Sequence, residues 1–184
     1  MLMQRHRSQL LVIDVQEKLA PHVADQADVV GNCVRLVQYA RHLDVPATLT
    51  EHYPKGLGAT AAPLTEAAGN TAVTLEKITF SSWKDAAIRA RIDGLAADGR
   101  DQVVVAGMES HVCVAQTVLD LVAHHVPVFL VADAVGSRDR GVRDTAIERL
   151  RDAGVSIVSQ EMVAFEWLER GDVPELRDIL AVLK

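Results

Sequence analysis

The sequence predicts a three-layer α/β/α sandwich around a six-stranded parallel sheet. Short, unbroken apolar runs alternate along the chain with stretches whose apolar residues recur at helical spacing. The runs are rich in valine, leucine and isoleucine, the pattern of strands covered on both faces. Several close on polar residues, and in open α/β folds ligands bind at the carboxyl ends of the strands. Right-handed crossovers place those ends on one edge of the sheet.

Leu10 to Ile13 is the first run, and Asp14 follows it directly. An acid abutting four large aliphatics must leave the core through a tight turn, which makes Asp14 a candidate site residue. A cap, or an acid facing water, is the alternative. Asp28 to Leu43 places Val29, Val30, Cys33, Val34 and Val37 along one side of an amphipathic helix. Cys33 there reads as a packed core thiol. Pro46 to Thr50 is a second short strand. Glu51 to Thr71, rich in Pro, Gly, Ala and Thr, reads as a long connection with one helical turn near Thr65 to Ala68. Connections of that length in compact domains are usually lids or binding loops.

Ala72 to Lys77 is the third strand, closing on a charged residue. Phe80 and Trp83 follow it, in a chain with only 4% aromatics. They either line a pocket or staple the start of the next helix, Trp83 to Ala97, which exits near Gly99. Val103 to Ala106 is the fourth strand, and Gly107 begins a turn. Beyond it Val114, Val118, Leu121 and Val122 keep helical spacing. With Ser110 as N-cap, Cys113 falls in the first helical turn, among amides without helical partners. Those amides and the positive end of the helix dipole favour a thiolate. A buried structural thiol is the alternative. Val128 to Asp133 is the fifth strand, again ending in an acid. Asp139 to Ala153 is helical, with Gly154 at its exit, and Val155 to Val158 is the sixth strand. Two short helices, about Gln160 to Arg170 and Pro174 to Lys184, end the chain, with Pro174 suited to a first helical position.

The 184 residues fit a single domain, residues 1–184, with a substantial core. A formal charge of −6 argues against nucleic acid or an anionic membrane as partner. No apolar run approaches the roughly 20 residues of a membrane span. Met1 to Gln9 lacks the apolar stretch and cleavage site of a signal peptide. Two cysteines cannot form a disulfide framework, so a reducing, cytoplasmic setting is expected. A dinucleotide fold is disfavoured, because no Gly-x-Gly-x-x-Gly follows the first strand.

An acid, an amine and a thiol at one sheet edge suit a nucleophilic hydrolase. Asp14 would take the proton of the Cys113 thiol, while Lys77 holds the aspartate ionised and stabilises the thiolate. Amides of the Met108–Cys113 turn would receive the oxyanion of a tetrahedral intermediate. Residue spacing alone leaves this as one hypothesis among several.

The run Leu10–Asp14 with Val15-Gln16, the Lys77 strand end, and Gly107-Met-Glu-Ser-His-Val-Cys-Val-Ala-Gln-Thr117 together resemble the isochorismatase-like hydrolases, also called cysteine hydrolases. The resemblance spans nearly the whole chain. It implies a Rossmann-like sheet of order 3-2-1-4-5-6 and an Asp–Lys–Cys triad, here Asp14, Lys77 and Cys113. It also implies a cis peptide at Met108–Glu109, and oligomers, dimeric or larger. In that strand order the third strand is not beside the first. Either the chain after Lys77 curls back or the lysine reaches across.

Nicotinamidases of this superfamily carry an Asp-x-His and a further His that hold a metal. Here Glu51-His52-Tyr53-Pro54-Lys55-Gly56-Leu57-Gly58 stands in that place, and His52 alone is too few ligands, so no metal or other cofactor is expected. This segment looks most like the isochorismatase-domain-containing branch. Members that cleave isochorismate lack a cysteine at the nucleophile position, so Cys113 points to amide-like carbonyl substrates of small size. Vinyl-ether hydrolysis, and a non-catalytic protein using Cys113 as a redox-responsive thiol, are the alternatives. Tyr53, Phe80, Trp83, His111 and Thr117 are substrate-pocket candidates by their place in the sequence. Phe165 and Trp167 pack either on a partner copy or on their own domain.

Overall fold

A computed structural model describes residues 1–184. Six strands form one sheet: β1 (Ser8–Ile13), β2 (Ala47–His52), β3 (Ala72–Lys77), β4 (Gln102–Met108), β5 (Val128–Gly136) and β6 (Ser156–Val158). Their order is β3-β2-β1-β4-β5-β6, and every pairing is parallel. The helices are α1 (Gln26–His42), α2 (Pro54–Leu57), α3 (Ala62–Ala68), α4 (Ala86–Ala97), α5 (Ala115–Ala123), α6 (Arg140–Asp152), α7 (Gln160–Leu168) and α8 (Leu176–Leu183).

The central strands are buried along their whole length, as their unbroken apolar runs require. Alternate residues of β1 and β4 face opposite layers. Leu10, Val12, Val104 and Ala106 join α1, α3 and α7 in one core. Leu11, Ile13, Val103 and Val105 join α4, α5 and α6 in the other. Gly107 lets β1 and β4 close on each other near their carboxyl ends. Its φ is +119°, and a Cβ there would lie 2.0 Å from the Ile13 carbonyl oxygen, so no other residue fits.

Three expectations need correction. The connection from Glu51 to Thr71 is not a loop with one turn: it folds into α2 and α3. It is also tied down, by Glu17 N–H to Ala59 O, Lys18 N–H to Leu57 O and Ala61 N–H to Val15 O. Proline at the first turn of each helix and good formers such as Leu64 and Glu66 outweigh the breakers that dominate its composition.

Asp133 does not end β5. A register shift opposite Val105–Gly107 lets the strand run on to Gly136. Asp133 instead receives the Gln160 N–H, at the start of α7, on Oδ1 at 2.9 Å. The last helix begins at Leu176, so Pro174 precedes it. Trp167 packs inside its own chain, with Nε1 donating to Ser8 Oγ at 2.9 Å, whereas Phe165 is exposed. No helix is long and apolar enough to cross a membrane.

Candidate active site

Asp14 lies one residue beyond β1 in the left-handed region, φ 53°. Aspartate tolerates that region better than most side chains. Its side chain is wholly buried, and both oxygens are engaged. Oδ1 accepts from Thr50 Oγ at 2.6 Å and Oδ2 from Lys77 Nζ at 2.6 Å. β2 stands between β1 and β3, so the lysine does reach across. The chain after it also curls back: Nζ donates to the carbonyls of Thr79 at 3.2 Å and Phe80 at 3.1 Å. All three ammonium protons are thereby used inside the protein. A buried charge pair survives only when its remaining donors are satisfied in this way.

The Thr79–Ser82 turn that supplies those carbonyls is pinned to the helix following Cys113. Ser81 Oγ donates to Asp120 Oδ2 at 2.6 Å, and the Ser82 N–H donates to Thr117 Oγ1 at 2.8 Å. The lysine cradle and the cysteine thus share one support.

Cys113 lies in a π-helical turn, Ser110–Val114, that leads into α5. Only 5% of the residue is exposed. Burial, and then the nearby Asp14 charge, push its thiol up to about 12, against an opposing pull from Lys77. The resting group is therefore a protonated thiol. Its place at a helix start favours a thiolate, while burial and the Asp14 charge act in the opposite direction. Ser110 is not an N-cap either. Its hydroxyl is buried without a partner, and the turn is preceded by Glu109, which makes no capping bond.

The Met108–Glu109 peptide is cis. Beyond it the N–H groups of Val112 and Val114 return to the Glu109 carbonyl. The Glu109 carboxylate turns away to Arg138, Oε1 to Nε 3.1 Å.

The pocket candidates scatter. Tyr53 is half-exposed and lines a shallow depression with Lys77 and Ile78. Phe80 is also half-exposed, and its ring lies against His52 with centroids 5.3 Å apart. Trp83 is a core residue, packed in the layer that holds Cys113 and against the His124 ring. His111 faces the cleft beside α6, with Nδ1 3.0 Å from Ser137 Oγ. Thr117 is fully buried and donates to the Cys113 carbonyl at 2.7 Å, so it braces the cysteine from behind.

Three residues at this edge take roles that the sequence did not reveal. Thr50 holds Asp14. Gln16 clasps the end of β2, accepting from His52 N–H at 2.8 Å and donating to the carbonyls of His52 and Gly58. His52 stands in register with Lys77. The available signal was position: Thr50 and His52 close the second strand, and Gln16 is two residues past Asp14. No group of three or more His, Cys, Asp or Glu stands together in a way that could hold a metal ion.

The family model of the isochorismatase domain matches residues 8–162. Isochorismatase domain-containing protein 2 of Danio rerio is 36% identical over 176 residues, covering 96% of this chain and 86% of that protein. Isochorismatase domain-containing protein 1 of Danio rerio is 33% identical over 173 residues, covering 93% of this chain. The chain spans only 59% of that relative's length. Among solved structures, the MAR1 ribonuclease from Caenorhabditis elegans superposes with a TM-score of 0.92 at 29% identity, over 100% of this chain and 92% of that one.

Proposed function

Since the chain belongs to the isochorismatase family and has its hydrolase fold, we propose that it is a cysteine hydrolase cleaving a small amide-like substrate at the C–N bond. The reaction needs no metal or other cofactor. The observation that carries this reading is the wholly buried Lys77–Asp14 pair at 2.6 Å, with the Cys113 thiol under the influence of both charges.

Asp14 takes the thiol proton as Cys113 Sγ attacks the substrate carbonyl carbon. A base in contact is needed because the thiol is held protonated at rest. The carbonyl oxygen becomes an oxyanion, which amides of the Met108–Cys113 turn receive. Loss of one such donor typically costs about two to three orders of magnitude in rate. The C–N bond breaks as Asp14 returns the proton to the leaving nitrogen, releasing ammonia or an amine and leaving a thioester on Cys113. Asp14 then deprotonates a water that attacks the thioester. The acid product departs and the proton goes back to sulfur. Lys77 holds the Asp14 carboxyl in place throughout by its hydrogen bond to Oδ2.

The same burial weighs against a redox-sensing thiol, which needs thiolate character and access. Three structural neighbours carry the name MAR1 ribonuclease, but a polyanion needs basic contacts that a chain of net charge −6 is poor in. We further propose a homo-oligomer of single-domain subunits, joined through apolar side chains left exposed on α7 and α8: Met162, Phe165 and Leu180.

A panel of small primary amides, ureido compounds, isochorismate and RNA tests the reading, scored by ammonia release and product mass. Cys113→Ala is expected to abolish turnover of an amide, and Cys113→Ser to lose nearly all of it. Full activity in Cys113→Ala overturns the proposal.

A further inference from the structure

Lys77 and Cys113 have to act together, yet the sheet does not join them. They belong to the ends of β3 and β4, and β2 and β1 lie between those strands. At about 4.8 Å per strand, β3 and β4 are roughly 14 Å apart across the sheet. Sheet hydrogen bonds fix β3 to β2 and β4 to β1, and neither outer strand to the other. Some other contact must set the distance between the ammonium and the sulfur.

A strap of hydrogen bonds along α5 does this. The Lys77 Nζ rests on the carbonyls of Thr79 and Phe80. Thr79 Oγ1 stiffens that turn by donating to the Ser81 carbonyl at 2.8 Å. Two bonds then carry the turn to α5: Ser81 Oγ donates to Asp120 Oδ2, and the Ser82 N–H donates to Thr117 Oγ1. Thr117 passes the link on, because its own hydroxyl proton goes to the Cys113 carbonyl. A threonine that bonds the carbonyl four residues back is ordinary in a helix. Here the same oxygen also holds an amide 35 residues away in sequence, so it both donates and accepts. Ser81, Ser82 and Thr117 are all buried, so water does not compete for these bonds.

We propose that Thr117 is a positioning residue that, with Asp120, sets the separation between the Lys77 ammonium and the Cys113 sulfur. This rests on the cysteine-hydrolase reading and extends it to two residues that act through others. Lys77 opposes the burial that holds the thiol protonated, and its pull depends on its distance from the sulfur. Misplacing a reacting group by about 1 Å can cost about a hundredfold in rate. Loosening the strap therefore harms the chemical step and leaves substrate binding alone.

Two readouts test it. Thr117→Val removes the hydroxyl at nearly constant volume, and Thr117→Ser keeps it. Asp120→Ala releases the other anchor, at a residue that is partly exposed. The first readout needs no turnover: modification of Cys113 by iodoacetamide at fixed pH, timed by mass on the Cys113 peptide. Thr117→Val should slow it, because the thiolate loses part of the Lys77 charge, and Thr117→Ser should not. The second is kinetics on the best amide of the panel. Thr117→Val should lower kcat about a hundredfold with KM near wild type, and Thr117→Ser should recover most of kcat. Asp120→Ala should show the same split at about tenfold, the size of one hydrogen bond. Unchanged or faster alkylation in Thr117→Val whose near-ultraviolet circular dichroism is native overturns the proposal. So does a variant that loses stability while kcat stays at wild type. Should Thr117→Val not fold, Asp120→Ala carries the same expectations and the same refutations. If alkylation slows as expected but wild-type protein hydrolyses no amide, the strap stands and it is the catalytic reading that fails.

Discussion

Replacing Lys77 by Met removes one partner of a charge pair that has no access to solvent on either side. It breaks the 2.6 Å bond to Asp14 and strips donors from the carbonyls of Thr79 and Phe80. Removing one member of a buried pair typically costs about 3–5 kcal/mol, because the other charge is left uncompensated. For a chain of this length that lowers Tm by roughly 6–20 °C. Adding Asp14→Leu removes the stranded carboxylate, so the double variant should lose less stability than Lys77→Met alone. Urea unfolding of wild type, both single variants and the double variant gives the coupling energy, provided the m-value is unchanged. A loss under about 1 kcal/mol for Lys77→Met, the size of a surface pair, would refute the reasoning. Additive losses in the double variant would refute it equally.

Thr50→Val keeps the shape of the side chain but takes the donor from Asp14 Oδ1. It should cost about 1.5–3 kcal/mol in urea unfolding, with Thr50→Ser close to wild type. Gly107→Ala drives a Cβ into the Ile13 carbonyl and should yield no folded protein by circular dichroism. Burial pushes both thiols, Cys33 and Cys113, up to about 12 from an ordinary 9.0. The folded chain therefore keeps these protons to higher pH than the unfolded chain. Stability should be intact below about pH 9 and fall as pH rises towards 12, with a shallower fall in Cys33→Ala. Alkylation of Cys113 by iodoacetamide should likewise keep accelerating beyond pH 9 without a plateau.

The centre of the sheet was legible because Leu10–Ile13 and Val103–Ala106 are closed apolar runs, and a run covered on both faces has no other stable place. Ala72–Lys77, by contrast, is an edge strand with most of its residues at least partly exposed. Asp14, Lys77 and Cys113 were legible because polar residues directly after such runs must stand at the ligand edge. The fifth strand misled, since the register shift that carries it past Asp133 is set by its pairing with β4. The segment after β2 misled because its helices are stabilised by contacts with Val15–Lys18, far away in sequence. Thr50, Gln16 and His52 were not singled out for a related reason. Their roles exist only once β2 is laid between β1 and β3, and nothing in Thr-Leu-Thr-Glu-His identifies which neighbour a side chain will meet. For Cys113, local sequence reports the helix start but not the depth of burial.

The central claim is that Cys113 sulfur becomes acylated during turnover. Rapid-quench intact-mass analysis, followed by peptide mapping, measures this directly on wild-type protein mixed with the best amide of the panel. The account predicts a transient adduct equal in mass to the substrate less ammonia, on the peptide holding Cys113, with one ammonia released per adduct. Steady turnover with no adduct at any quench time, together with retained activity in Cys113→Ala, would contradict it.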